Sequence, residues 1–238
     1  MPFGYFYYGF SSNDLYWYFL LVVPALIIAV IAQAKVKSAY NKFSKVLNSR
    51  KITGAYAAQA VLSFYGITDV RIEQVSGKLT DHYDPKAKVI RLSQGVYSAS
   101  SIAAVGIACH EAGHAAQHAE SYVPIKIRTS LVPVCNIGST LGIPLAVIGL
   151  FMNFEFLVIA GLVLYGTVFI FHLATLPVEF NASRRAIKVI EDTNLLYDEE
   201  VKGAKKVLSA AAMTYVASML VALANLLRLI LRFNRRRN

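Results

Sequence analysis

Four long apolar runs constrain this chain more than any other feature of it. The first, LYWYFLLVVPALIIAVIAQA, occupies residues 15–34 and carries no charge. The others cover residues 131–152, 156–176 and 207–233, the last holding two arginines near its end. A helix needs about 20 apolar residues to cross a bilayer, and the first and third runs meet this cleanly. The second contains Pro133, Asn136 and Pro144, which a helical bundle tolerates when neighbours satisfy the freed backbone groups. Charged residues make up 16% of the 238 residues, against about 25% in soluble domains. The expected fold is therefore a mainly α membrane protein with three firm transmembrane helices and a fourth possible in the last run.

The first run reads as a retained anchor rather than a cleaved signal. It is long, and residues 1–34 contain no Lys or Arg, where a signal peptide wants a positive start and a shorter apolar core. The aromatic cluster FGYFYYGF before it suits the lipid–water interface. Net charge is +10, but its placement argues against nucleic acid as the partner. Lys35, Lys37, Lys42, Lys45, Arg50 and Lys51 follow the first run directly, which is the positive-inside pattern and puts that segment in the cytoplasm. The lipid bilayer is the expected partner. The two cysteines, Cys109 and Cys135, lack the close spacing of a zinc knuckle and read as packed, reduced thiols.

The runs divide the chain into an anchor (1–34), a polar segment (35–130), a membrane hairpin (131–176), a second polar segment (177–206) and a C-terminal hydrophobic helix with a basic tail (207–238). In the first polar segment, Val36, Tyr40, Phe43 and Leu47 repeat at helical spacing. Thr53 is a candidate N-cap for a helix over GAYAAQAVLSFY, with Gly66 as its stop. DVRIEQVS and KVIRLS alternate as strands do, and DHYDPKAK between them carries a turn signal. These predict a small antiparallel sheet. Ser98–Ser101 offers N-caps for the next helix. In the second polar segment, VEFNASRRAIKVIED reads as a helix, and another begins near Asp198.

The chemistry lies in ACHEAGHAAQHAE, residues 108–120. His110, Glu111, Ala112, Gly113 and His114 form H-E-x-x-H. On a helix, residues four apart share a face, about 6 Å apart along the axis. Two imidazoles so placed converge on one zinc ion, and Glu111 reaches a metal-bound water rather than the metal. Zinc lowers the pKa of that water toward roughly 7, and the glutamate takes its proton. A catalytic zinc site wants three protein ligands and an open position. His118 lies about 12 Å along the axis from His110, too far to join both histidines on one ion from a straight helix. The third ligand is expected from another helix, and Glu179 in PVEFNAS is the best choice. It follows the third apolar run as His114 precedes the second, so a membrane hairpin returns both to one face. Glu155 falls at the opposite hairpin tip. Glu120 lies too far along the helix, and Glu191, Glu199 and Glu200 sit in a charged, solvated stretch. His172, inside the third run, reads as a histidine hydrogen-bonded within the bundle. Tyr83, Tyr97, Arg184 and Arg185 are all candidates for stabilising an oxyanion.

Together, PALIIAVIAQAKVKSAYNKFSKV, HEAGHAAQHAE and LPVEFNASRRA resemble the YugP-like neutral zinc metallopeptidases of bacterial membranes. The resemblance spans about Pro24 to the last apolar run. More distantly, the chain resembles the HtpX type of membrane gluzincin, in which a pair of spans also separates H-E-x-x-H from the glutamate ligand. The resemblance implies a small α+β gluzincin-like catalytic domain at the membrane face. It implies one zinc held by His110, His114 and Glu179, with Glu111 as base. It also implies that the strand over Val89, Ile90, Arg91 and Leu92 lies above the cleft and pairs with an extended polypeptide substrate by strand addition. Gluzincins commonly carry an aspartate four residues after the glutamate ligand, to support a histidine ligand. Here that position is Ser183, with Asn181 nearby, and a serine hydrogen-bonds without supplying charge.

The expected activity is that of a membrane zinc endopeptidase acting on membrane-associated or misfolded polypeptides. Its rivals are a zinc hydrolase of non-peptide amides or esters, and a membrane scaffold with a structural zinc.

Overall fold

The computed structural model describes residues 12–237. The aromatic cluster at residues 3–10 and the side chains of the basic tail from residue 235 onward fall outside the described residues. The chain is mainly helical. Helix α1 (Ser12–Trp17) passes through a π-helical turn (Tyr18–Val22) into α2 (Val23–Phe43). Then come α3 (Gly54–Phe64), strands β1 (Arg71–Val75), β2 (His82–Asp84) and β3 (Val89–Ser93), and a short α4 (Gln94–Tyr97). Helix α5 (Ile102–Ala119) precedes three long helices, α6 (Val123–Met152), α7 (Glu155–Asp192) and α8 (Asp198–Arg237). Among the described residues, four helices are long and apolar enough to cross a membrane: Leu15–Phe43, Val123–Met152, Glu155–Asp192 and Asp198–Asn234.

Two compact units divide these elements. The apolar unit holds the described residues up to Ile31, then Ile127–Thr175, and the chain from Tyr215 onward. The polar unit holds Ala32–Lys126 and Leu176–Thr214. Within the apolar unit, α6 and α7 form an antiparallel hairpin closed by a tight turn in which Asn153 takes φ 56°. Small residues let the two backbones touch. A Cβ placed on Gly138 would meet the Leu164 carbonyl oxygen at 2.2 Å, so only glycine fits that crossing, as expected where packing rather than hydrophobicity drives helix association.

The polar unit is organised around α5, which is buried along most of its length. Ala57, Ala58, Val61 and Leu62 of α3, Ile90 and Leu92 of β3, Val105, Ala108, Cys109 and Ala112 of α5, and Ala186, Val189 and Ile190 of α7 share one core. Alanines dominate the α5 face, which permits close helix approach. The caps are as the sequence indicates. Thr53 accepts a hydrogen bond from the Tyr56 N–H at 3.3 Å, Ser101 accepts one from the Ala104 N–H at 3.1 Å, and Gly66 takes φ +66° just past α3.

Two expectations are corrected. The sheet is mixed, in the order β1-β3-β2. β1 runs parallel to β3, from Arg71↔Val89 to Val75↔Ser93, and only β2 is antiparallel to it. β3 is thus the central strand, so Val89, Ile90, Arg91 and Leu92 cannot receive a substrate by edge addition. β1 pairs with all four and β2 with Val89, Ile90 and Arg91, and Val89, Ile90 and Leu92 are fully buried. Second, Leu47 does not extend the helix of Val36, Tyr40 and Phe43, which continue α2 to its end at Phe43; it forms an isolated bridge with Ser101. VEFNASRRAIKVIED is helical as expected, as part of α7, which runs unbroken through Pro177.

Candidate metal centre

His110 and His114 project from one face of α5, and Glu179 reaches them from α7. One donor atom from each of the three residues lies within 4.8 Å of the others. Their closeness depends on Gly113, the residue before His114. A Cβ there would meet the Ala182 carbonyl oxygen at 2.8 Å, so the missing side chain lets α5 and α7 pack backbone to backbone at the level of the site.

The distances suit a zinc ion. His110 Nε2 lies 3.3 Å and His114 Nε2 3.6 Å from Glu179 Oε2. A tetrahedral zinc with bonds of about 2.0–2.1 Å separates its ligand atoms by roughly 3.3–3.4 Å. The donor chemistry matches too, since two imidazole nitrogens and a carboxylate oxygen are a standard catalytic zinc set.

The other ring nitrogens face away from the centre, toward supporting groups. His110 Nδ1 lies 3.1 Å from Ser183 Oγ. His114 Nδ1 lies 3.0 Å from Gln117 Oε1. Gln117 is fully buried, and its amide donates to the Val178 carbonyl at 2.8 Å and to Asn181 Oδ1 at 2.9 Å. Asn181 also accepts from Arg185 Nε at 2.7 Å, and Arg185 pairs with Glu120 at 2.7 Å. Ser183 and Asn181 thus both support the histidines, directly and through Gln117 respectively. Gln117 was not singled out from sequence, although it lies three residues after His114 and so on the same helical face.

Burial at 2% exposure pushes the Glu179 carboxyl upward, but the His110 and His114 rings beside it outweigh that and hold it well below the usual carboxylate range. For His114, burial acts downward, yet the neighbouring Glu179 carboxylate and the charge of Glu111 raise it. Two carboxylates thus place negative charge beside the His114 ring, as in a cation site. Glu111 is half-buried, next to His110 on the helix.

The remaining candidates fall elsewhere. The His118 ring sits 5.6 Å from that of Tyr83 and outside the three-residue cluster. Tyr97 packs on the hydrophobic core. Arg185 is committed to Glu120 and stacks on Tyr65 and Tyr122 at 5.5 and 5.9 Å. Exposed Arg184 lines a cleft of about 530 Å³ together with Ser183, Ile187 and Leu208. Glu191 and Glu199 pair with Lys205 and Lys202, and Glu200 accepts from the Ser49 N–H and hydroxyl at 2.7 and 2.6 Å. His172 lies on α7 in the apolar unit, its ring 5.7 Å from that of Phe171. Both cysteines are free and buried, and burial pushes the Cys109 thiol up, which keeps it unreactive.

A mainly helical chain with four helices of membrane-crossing length and a three-donor zinc-compatible cluster belongs to a defined class. The chain is a member of the family described as "putative neutral zinc metallopeptidase", whose model matches residues 18–234. It is similar to the "Putative membrane protease YugP" of Bacillus subtilis (strain 168), with 44% identity over 216 residues that cover 91% of this chain and 96% of that protein. No solved structure matches it.

Proposed function

We propose that this protein is an integral membrane zinc endopeptidase that cleaves peptide bonds of membrane-associated or misfolded polypeptides, with one zinc per chain held by His110, His114 and Glu179. The observation that carries the reading is the donor set. Structural zinc sites are closed by four protein ligands, whereas catalytic ones use three and keep a position open. Here the cluster has three members among the described residues, which favours the hydrolase over the scaffold. The family and the similar membrane protease favour a peptide over another amide or ester.

When bound, zinc supplies a Lewis acid that polarises the scissile carbonyl and makes water a nucleophile near neutral pH. The protein's residues do the rest. His110 and His114 present Nε2 inward, fixed by Ser183 and Gln117. The Glu111 carboxylate takes the proton of the attacking water and delivers it to the departing amine nitrogen. At the sheet, β2 is an edge strand, paired on one side only. An extended substrate adding to its free edge gains main-chain hydrogen bonds. The basic residues after the first apolar run orient the polar unit toward the cytoplasm.

The test is Glu111→Gln. Loss of general base catalysis lowers hydrolysis of a casein-like chain by about 10²–10⁴-fold, while zinc content stays at one per chain. Undiminished hydrolysis in this variant overturns the proposal. Cleavage of small amides or esters with none of polypeptides establishes the non-peptidase alternative.

A further inference from the structure

We propose that Gln117, Asn181 and Arg185 form a hydrogen-bond relay whose polarity fixes His114 as the Nδ1–H tautomer, leaving the Nε2 lone pair for the metal. The inference rests on the reading of His114 as a zinc ligand and extends it to residues that never touch the ion.

The polarity follows from donor and acceptor rules. An arginine guanidinium only donates. The Arg185 Nε–H, 2.7 Å from Asn181, therefore requires the oxygen end of that amide there. Asn181 Oδ1 is then an acceptor, and the Gln117 atom 2.9 Å away must be its NH₂. The Val178 carbonyl, 2.8 Å from the same nitrogen, accepts its second N–H. With its nitrogen end committed to two acceptors, Gln117 can present only Oε1 to His114 Nδ1 at 3.0 Å. An acceptor at Nδ1 obliges the neutral ring to carry its proton there. Nε2 is left unprotonated, 3.6 Å from Glu179 Oε2.

Two further features make the relay a positioning device. Gln117 is fully buried, so no water competes for its amide. The outer end is anchored by the Arg185–Glu120 pair at 2.7 Å and by the Tyr65 and Tyr122 rings. Gln117 lies on the same helix as His114 and Glu120 caps its C-terminal end, whereas Asn181 and Arg185 follow Glu179 on α7. The relay thus closes a ring between the two ligand-bearing helices. His110 is held differently. A serine hydroxyl both donates and accepts, so Ser183 supports either tautomer.

The tautomer is read directly in the metal-free protein labelled with ¹⁵N-histidine, by long-range ¹H–¹⁵N correlation well above the ordinary imidazole pKa. Zinc affinity is read in parallel by competition with a chromogenic chelator. The wild type is expected to show His114 as the pure Nδ1–H form. Asn181→Leu frees the Gln117 amide on one side, and Arg185→Met removes the obligatory donor while keeping an apolar stem against Tyr65 and Tyr122. Both are expected to show a mixture of tautomers at His114 alone and about tenfold weaker zinc binding, the lower end for outer-shell partners. Asn181→Asp keeps an acceptor for both neighbours. It should fold and retain the wild-type tautomer even if Asn181→Leu does not fold. The relay is overturned if His114 stays purely Nδ1–H with zinc affinity within twofold in Arg185→Met, or if Asn181→Asp loses the tautomer. A wild type that shows the predicted tautomer but binds no zinc leaves the relay standing and refutes the zinc reading instead.

Discussion

Gly113 is the most exacting test of how the two ligand helices are held together. In Gly113→Ala, the new methyl would stand 2.8 Å from the Ala182 carbonyl oxygen and 3.4 Å from the Ala182 carbonyl carbon and Cα. All three neighbours are backbone, so no side chain can rotate away. Reaching ordinary contact requires α7 to retreat by about 0.6 Å, and overpacking of this kind typically costs about 1–3 kcal/mol. Alanine also returns about 1 kcal/mol of helix propensity relative to glycine. Gly166→Ala in α7 separates the two effects, because nothing lies within 4 Å of its built Cβ and only the propensity gain applies. The difference between the variants therefore isolates the clash, at about 1–3 kcal/mol.

The same displacement carries Glu179 away from His110 and His114. Zinc sites hold their bond lengths to within about 0.2 Å, so the retreat should weaken zinc binding by at least about tenfold, the scale on which loss of supporting contacts acts. The assays are unfolding in detergent micelles and chelator competition. Gly113→Ala should melt below Gly166→Ala and release zinc more readily. If both melt together and bind zinc equally, α5 and α7 are not held at the separation described, and the account of the site fails.

Two further expectations concern support and orientation. Ser183→Ala removes the hydroxyl 3.1 Å from His110 Nδ1 and should weaken zinc binding about tenfold, with Ser183→Asp restoring or exceeding the wild type because a carboxylate raises imidazole basicity; equal affinity in all three shows that Ser183 is a bystander. For orientation, cysteines at Ser12 and Lys45 flank the first apolar run, and the native thiols are buried. A membrane-impermeant thiol reagent added to intact cells should label Ser12→Cys and spare Lys45→Cys, and the reverse pattern places the polar unit outside.

What the sequence revealed was whatever is decided locally. Two histidines at i and i+4 share a face on any helix, and N-caps at Thr53 and Ser101 are fixed within three residues. The sheet was not legible in this way. Alternation in DVRIEQVS and KVIRLS marks strands but not their neighbours, and the assumption that consecutive strands pair antiparallel gave the wrong direction for this pair and passed over β2 between them in the chain. β3 lies between β1 and β2 because its side chains are buried on both faces of the unit. Val89, Ile90 and Leu92 are all fully buried, whereas β1 and β2 each retain exposed positions. The run V-I-x-L with one polar interruption is the mark of a central strand, and that signal outranked sequence adjacency.

The helices show a converse limit. Pro177 reads as a boundary, since proline removes an N–H and crowds the preceding turn. Yet α7 is continuous through it from Glu155 to Asp192. A flexible loop linking His114 to Glu179 would carry a closure entropy that grows with its length. Here the intervening chain folds back on itself as an α6–α7 hairpin, with Gly149 against Val158 near the turn and Val134 against Thr167 farther along. The hairpin thus removes much of the freedom of the intervening chain within its own unit. Only the short-range fit is left to set, and it is set by one missing methyl group at Gly113 and by the Gln117 amide. Periodicity places Gln117 on the His114 face, but not the partners of either residue, which lie more than sixty residues away.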